Sequence, residues 1–271
     1  MRRMRWGPIA REEAALLLRA RSARWLFGLL IFVCVGGGYL YPVVGAEPHT
    51  TARFTSFLTG WLTTLVPLIG LLVGYNAICS DRASGSLLLT LSMPYSRRDL
   101  VAGKLFGRMG LFAATIVGGL LAAGVLVVYP YGALVVSPFL GFLALTVGFG
   151  LLYTALGIAI SMAVSTKQRA TVLAFGVFFL FVLVWDVLEM AVTFALVRVG
   201  FIDGELPGIV AFLFAAEPGS VYGRLIAGFV DPAGSVSGTW YLNEWTALVL
   251  FCLWIVCPLG LAFWRFSECD L

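Results

Sequence analysis

Between Met109 and Thr166 the chain runs for 58 residues without an Asp, Glu, Lys or Arg. An α-helix rises about 1.5 Å per residue, so about 20 residues cross a hydrocarbon core about 30 Å thick, and this interval must hold two crossings. The break between them falls at Tyr129, Pro130, Tyr131 and Gly132 through Ser137 and Pro138, where turn residues and interfacial tyrosines coincide. Further charge-free intervals lie at 25–46, 54–80, 170–185 and 245–264. Their apolar runs are continuous rather than alternating, which excludes an outer-membrane barrel. Charged residues make up 12% of the chain, against about 25% in a soluble domain, so the expected class is an all-α polytopic membrane protein.

The intervals predict six transmembrane helices near 25–44, 57–78, 105–128, 139–163, 170–197 and 245–264, within a single membrane domain over 1–271. Residues 1–24 hold seven arginines and two glutamates. Ile9, Leu16, Leu17 and Ala20 recur there at helical spacing, so an N-terminal interfacial helix is expected, with Arg11, Arg19, Arg21 and Arg24 toward the headgroups. Small residues at 44–46 resemble a cleavage site, but the apolar run is longer than a signal core and further spans follow, which favours a retained first helix. An even number of spans puts both termini on one side. With that side cytoplasmic, only Arg53, Arg198 and Arg224 of the 18 basic residues lie outside, as the positive-inside rule requires of a cell-membrane protein. Residues 198–244 then form an extracytoplasmic loop with two short apolar pieces, expected as amphipathic helices or a lid on the outer face, followed by an aromatic anchor at Trp240, Tyr241 and Trp245.

Little in the chain suggests chemistry. Its five cysteines form no CxxC pair and read as small packing residues, and the one histidine, His49, has no companion ligands. No metal site and no catalytic residue is expected. Asp186 and Glu189 share a helix face in the fifth span. Counted from Ala170 they lie roughly 24 and 28 Å across, near the outer boundary, so they are either interfacial or part of a pore or cavity lining. Ala114, Gly118, Gly119 and Gly124 in the third span, with Gly148, Gly150, Gly157 and Ser161 in the fourth, would let helices approach closely.

One long polar interruption remains, the loop 79–104 between the second and third spans. Gly85 permits a tight entry to a short helix, Leu87, Leu88 and Leu91 share a helical face, and Pro94 ends the segment. Such a short helix either reorients the chain at the interface or seats in the groove of a soluble partner. Arg97, Arg98 and Lys104 are expected to serve the membrane surface.

The run Asp81, Arg82, Ala83, Ser84, Gly85, Ser86, Leu87, with Leu88, Leu91, Pro94, Ser96, Arg97, Gly103 and Lys104, resembles the cytoplasmic loop of ABC-2 type transporter permeases. The amino-terminal segment 9–25 looks like the connecting helix of that family, and Glu217 through Leu225 resembles a looser family pattern before the last span. Within the family the likeness is to the subgroup that contains the nitrous-oxide-reductase maturation permease, a subgroup that does not fix the cargo.

The resemblance implies a permease subunit that moves substrate, by export, with the loop as an ATPase-coupling helix built on Asp81, Arg82, Gly85, Ser86, Leu87, Leu88, Leu91 and Pro94. A P-loop needs GxxxxGK followed by Ser or Thr, whereas Gly103-Lys104 is followed by Leu105 and Arg98 stands at the first glycine position. No cofactor is therefore expected in this chain, and ATP with Mg would sit on a partner. The family arrangement implied is a homodimer of permeases in the lipid bilayer with two copies of an ABC ATPase, and nothing points to nucleic acid. The alternatives are an ATP-independent carrier or membrane anchor, and a membrane-embedded lipid-modifying enzyme, which the scattered acidic residues disfavour.

Overall fold

Backbone amides inside a bilayer must find their partners within the protein, and in the computed structural model helices meet that demand span by span. The structure describes residues 6–45, 49–85, 96–202, 206–231 and 239–268. In chain order the helices are α1 (Trp6–Arg19), α2 (Arg21–Val44), α3 (Thr51–Gly74), α4 (Cys79–Ser84) and α5 (Arg97–Tyr131). They continue as α6 (Val136–Ala163), α7 (Lys167–Phe178), α8 (Trp185–Arg198), α9 (Gly208–Ala215), α10 (Pro218–Phe229) and α11 (Glu244–Glu268).

Among the described residues, six stretches are long and apolar enough to cross a membrane: Arg21–Val44, Thr51–Ser84, Arg97–Tyr129, Val136–Ala163, Lys167–Arg198 and Glu244–Phe266. Each coincides with an expected span, and the differences lie at the ends. The third begins at Arg97 rather than near 105 because Ser96 and Asp99 form a reciprocal capping box: Ser96 Oγ accepts from the Asp99 amide at 3.1 Å and the Asp99 carboxylate accepts from the Ser96 amide at 3.1 Å. A polar turn thus starts a helix that enters the apolar layer only later.

The central pair is α3 and α6. A Cβ on Gly74 would lie 2.5 Å from the Thr154 carbonyl oxygen and 2.8 Å from Gly157 Cα, so the two backbones touch where only glycine fits. Buried Leu62, Val66, Ile69, Phe149 and Tyr153 extend this contact along the bundle. Threonine hydroxyls within it return to their own helix, as Thr154 Oγ1 does to the Gly150 carbonyl at 2.8 Å, which removes the cost of a buried donor. Cys34 and Cys79 are buried as packing residues, whereas Cys252 and Cys257 are exposed on α11.

The fifth span is built differently. A π-helical turn, Phe179–Val184, joins α7 to α8. Ala170 and Ala174 of α7 are buried, while the π turn and α8 bury nothing. The fifth span therefore leaves most of its apolar surface uncovered.

The large loop holds two short helices, as expected. They meet at 91°, and α10 packs into the bundle, with Val221, Tyr222 and Leu225 fully buried. The Tyr222 ring stacks on Phe149 with centroids 4.3 Å apart, and its hydroxyl shares a hydrogen bond with Thr146 Oγ1 at 2.8 Å. A buried tyrosine needs such a polar partner, and α6 supplies it.

Candidate functional site

After α3 the chain turns through residues 75–78, and Ser161 on α6 holds that turn. Its Oγ accepts from the Ile78 amide at 2.8 Å and the Cys79 amide at 3.0 Å, two donors that the first turn of α4 would otherwise leave unpaired. Asp81 and Arg82 follow, half-buried. Gly85 ends α4 at φ +73°, in the left-handed region that glycine adopts without strain. Ser86, Leu87, Leu88, Leu91 and Pro94 lie outside the described residues. The loop resumes at Ser96, so its two stems are defined.

Both stems reach the same aromatic ring. The Arg82 guanidinium lies 5.0 Å from the centre of the Phe266 ring and that of Arg97 lies 5.8 Å from it. Arg97 Nη1 also donates to the Phe266 carbonyl at 2.9 Å, and Arg82 Nη1 donates to the Val164 carbonyl at 3.4 Å. Phe266 is itself buried near the end of α11, so each side of the loop is tied to the last span.

Behind the stems sits an ion cluster. Lys104, expected at the membrane surface, is instead buried, with its side chain 5% exposed. It pairs with Glu13 of α1 and with Asp81 of α4, the latter at 2.8 Å. Arg108 adds Nε to Glu13 at 2.8 Å and Nη1 to the Val73 carbonyl at 2.6 Å. Two carboxylates and two cations balance one another, and they join α1, α3, α4 and α5. Burial alone would raise the Glu13 carboxyl, but Arg108 and Lys104 outweigh it and hold the group below its ordinary value.

Glycine spacing makes the cluster reachable. A Cβ on Gly103 would meet Ile9 Cβ at 2.6 Å, and one on Gly107 would meet the Ala10 carbonyl oxygen at 2.5 Å, so α1 lies directly on α5. Glu13 was legible as an acid on the apolar stripe of Ile9, Leu16, Leu17 and Ala20. What it pairs with was not, since Lys104 lies 91 residues away.

The two acids of the fifth span separate. Asp186 is exposed and lines a cavity shared with Tyr153 and Glu217, whereas Glu189 is half-buried and does not line it. Glu217 is the buried acid of this region, 4% exposed, and caps α10 by accepting from the Gly219 amide at 2.7 Å and the Ser220 amide at 2.6 Å. Its signal in the sequence was the order Glu217-Pro218, a capping residue followed by proline at the first helical position.

Residues 8–271 match the family described as ABC-2 family transporter protein. A curated relative from Pseudomonas aeruginosa, named as a probable ABC transporter permease protein NosY, is 32% identical over 96% of this chain and 97% of its own length. A second, of the same name, from Stutzerimonas stutzeri is 30% identical over 91% of this chain and 90% of its own length. Together with six spans of membrane-crossing length, these matches make the chain a member of the ABC-2 family, a membrane-spanning permease subunit of an ABC transporter.

Proposed function

We propose that the chain is one half of a homodimeric exporter, driven by two copies of a separate ABC ATPase that seat against the end of the bundle carrying Arg82, Arg97 and Lys104. The observation that supports this most is the shared grip on Phe266. A push on the loop between Gly85 and Ser96 reaches α11 through Arg82 and Arg97, and reaches α1 and α5 through Asp81, Lys104 and Glu13. One displacement at the surface is thereby delivered to the amino-terminal helix α1 and to the third and sixth spans together. Asp81, Arg82 and Gly85 set the stem of the coupling element, and Ser86, Leu87, Leu88, Leu91 and Pro94 form its contact segment.

The curated relatives are named permease proteins of ABC transporters, and this chain lacks a P-loop, so ATP hydrolysis has to come from another subunit. The charge bias supports a cytoplasmic position for the loop and both termini in a cell-membrane protein. Outward movement of cargo is the direction the family resemblance implies. A second copy is the arrangement that the family resemblance implies, and the uncovered Val187, Met190 and Phe194 of the fifth span offer an apolar face to lipid or to that copy.

Co-expression with candidate ABC ATPases from the same genome tests the assignment. The full chain should retain one of them through purification in detergent, and a chain lacking residues 82–92 should lose it. Equal recovery of the ATPase with both would show that the loop is not its seat.

A further inference from the structure

Where α3, α6, the fifth span and the start of α10 converge lies a cavity of about 310 Å³. Thr63 on its wall is about 18 Å along α3 from Thr51, and Tyr153 is about 15 Å from the opposite end of α6, so the cavity lies well away from those helix ends, and it opens at the exposed Asp186. Tyr153, Asp186, Glu217, Ser220 and two threonines contribute its polar lining, and no Lys, Arg, His or Cys is among the described residues that line it.

The site is built rather than incidental. Glu217 is fixed by the Gly219 and Ser220 amides, with the Ser220 side chain as a third donor. The bend that presents it is held by Trp185 Nε1 donating to the Phe214 carbonyl at 3.0 Å, Trp254 Nε1 donating to the Ala216 carbonyl at 2.7 Å, and Arg224 donating to the Ala215 carbonyl. Tyr153 is 0% exposed and is among the residues lining this cavity, and its hydroxyl has no hydrogen-bond partner among the described residues. Buried hydroxyls are almost always partnered, and this one is free to accept a hydrogen bond from a group that enters. Glu217 acts electrostatically on both Tyr153 and Asp186, which brings the three oxygen-bearing side chains into one field. The π turn Phe179–Val184 immediately precedes Asp186, a distortion that recurs at functional sites.

Charge and size select the occupant. Two carboxylates with hydroxyl groups and no cation attract a positive charge, and oxygen-only donors disfavour soft metal ions. Among the described residues there is no group of three or more His, Cys, Asp or Glu placed to hold a metal. The volume is about ten times the share of one water, roughly 30 Å³, which exceeds a bare monovalent ion and suits an organic group. Phe181 supplies an aromatic wall, with its ring 5.4 Å from Trp185 and 5.5 Å from Trp254.

We infer that this cavity binds an organic ammonium ion, whose N–H groups donate to Asp186, Glu217 and the Tyr153 hydroxyl oxygen while its carbon body rests on Phe181. Asp186 is the exposed member and stands at the mouth, on the uncovered side of the fifth span. The site concerns binding and needs neither ATP nor a partner subunit.

The full chain in lipid nanodiscs is titrated with benzylammonium, with its neutral isostere benzyl alcohol, and with sodium chloride, and thermal unfolding and calorimetric Kd are read. Benzylammonium should raise the unfolding midpoint saturably, and Asp186→Asn should weaken its Kd about tenfold or more, as loss of a charge-assisted hydrogen bond does. Tyr153→Phe removes a hydroxyl that has no partner in the empty protein, so it should fold normally and still weaken benzylammonium. An equal shift with benzyl alcohol, a shift with sodium chloride alone, no shift with benzylammonium, or unchanged affinity in both variants overturns the proposal.

Discussion

The guanidinium of Arg82 lies 5.0 Å from the ring centre of Phe266, which joins the first stem of the 79–104 loop to the last helix of the chain. The partners are 184 residues apart and meet only because α4 is pinned to α6 by Ser161. A cation over an aromatic ring contributes about 0.5–2 kcal/mol, the upper end applying to a buried ring such as this one. In a double-mutant cycle with Arg82→Gln and Phe266→Leu, read as thermal stability in detergent, the two changes should be non-additive by about 1 kcal/mol. Strict additivity would mean that the contact carries no energy.

Gly85 is constrained by its dihedral angle rather than by space. It sits at φ +73°, and a Cβ there would meet nothing within 4 Å. Gly85→Val should therefore cost about 1–2 kcal/mol through backbone strain alone, and Gly85→Asn appreciably less, since Asn visits the left-handed region. Circular-dichroism melts of the two variants compare these directly, and equal melting points would point to a different backbone at this position.

The Glu13 cluster makes a signed prediction about pH. Its carboxyl is held below the ordinary value of 4.5, so the unfolded chain binds the proton first as pH falls. The stability it adds is present above pH 4.5 and is lost as pH drops through the lower folded value. Glu13→Gln leaves Lys104 buried with a partner removed and should destabilise the chain by about 3–5 kcal/mol at pH 7. The gap in melting temperature between wild type and Glu13→Gln should shrink on acidification below pH 4.5, and a gap that does not change with pH would contradict the pairing.

Helix approach at the centre is testable with an internal control. A Cβ on Gly157 would stand 2.8 Å from the Leu71 carbonyl oxygen, while one on Gly118 would meet nothing within 4 Å. Gly157→Ala should destabilise by about 1–3 kcal/mol through overpacking, and Gly118→Ala should be neutral or slightly stabilising through helix propensity. Chemical denaturation of both in the same detergent separates a packing requirement from the general presence of glycine in membrane helices.

The spans were readable because lipid enforces an arithmetic on charge-free length that few other environments do. Gly85 was readable for a similar reason, since a single residue sets a local backbone state. Lys104 was not. Beside Arg97, Arg98 and Arg108 it had the look of one more positive flank, and only the path of α1 across Gly103 and Gly107 turns it inward to Glu13. The descent of α10 was hidden too, because Val221, Tyr222 and Leu225 are too few to predict a span, and their burial depends on donors from Trp185 and Trp254 in other helices. Asp186 was singled out in the sequence, but its neighbour at the cavity is Glu217 from that bend rather than Glu189 on its own helix. Local pattern thus disclosed the elements, and contacts between distant elements decided which charged groups face inward.

The most direct test of coupling through the loop is ATP hydrolysis by the co-purified complex in proteoliposomes, compared between wild type and Arg82→Glu at equal ATPase content. Reversing the charge at Arg82 removes its hold on Phe266 and sets an acid beside Asp81. Hydrolysis in the variant should fall to the rate of the ATPase alone, with the complex either dissociated or uncoupled. Full wild-type stimulation in an intact Arg82→Glu complex would contradict the role of this stem in coupling.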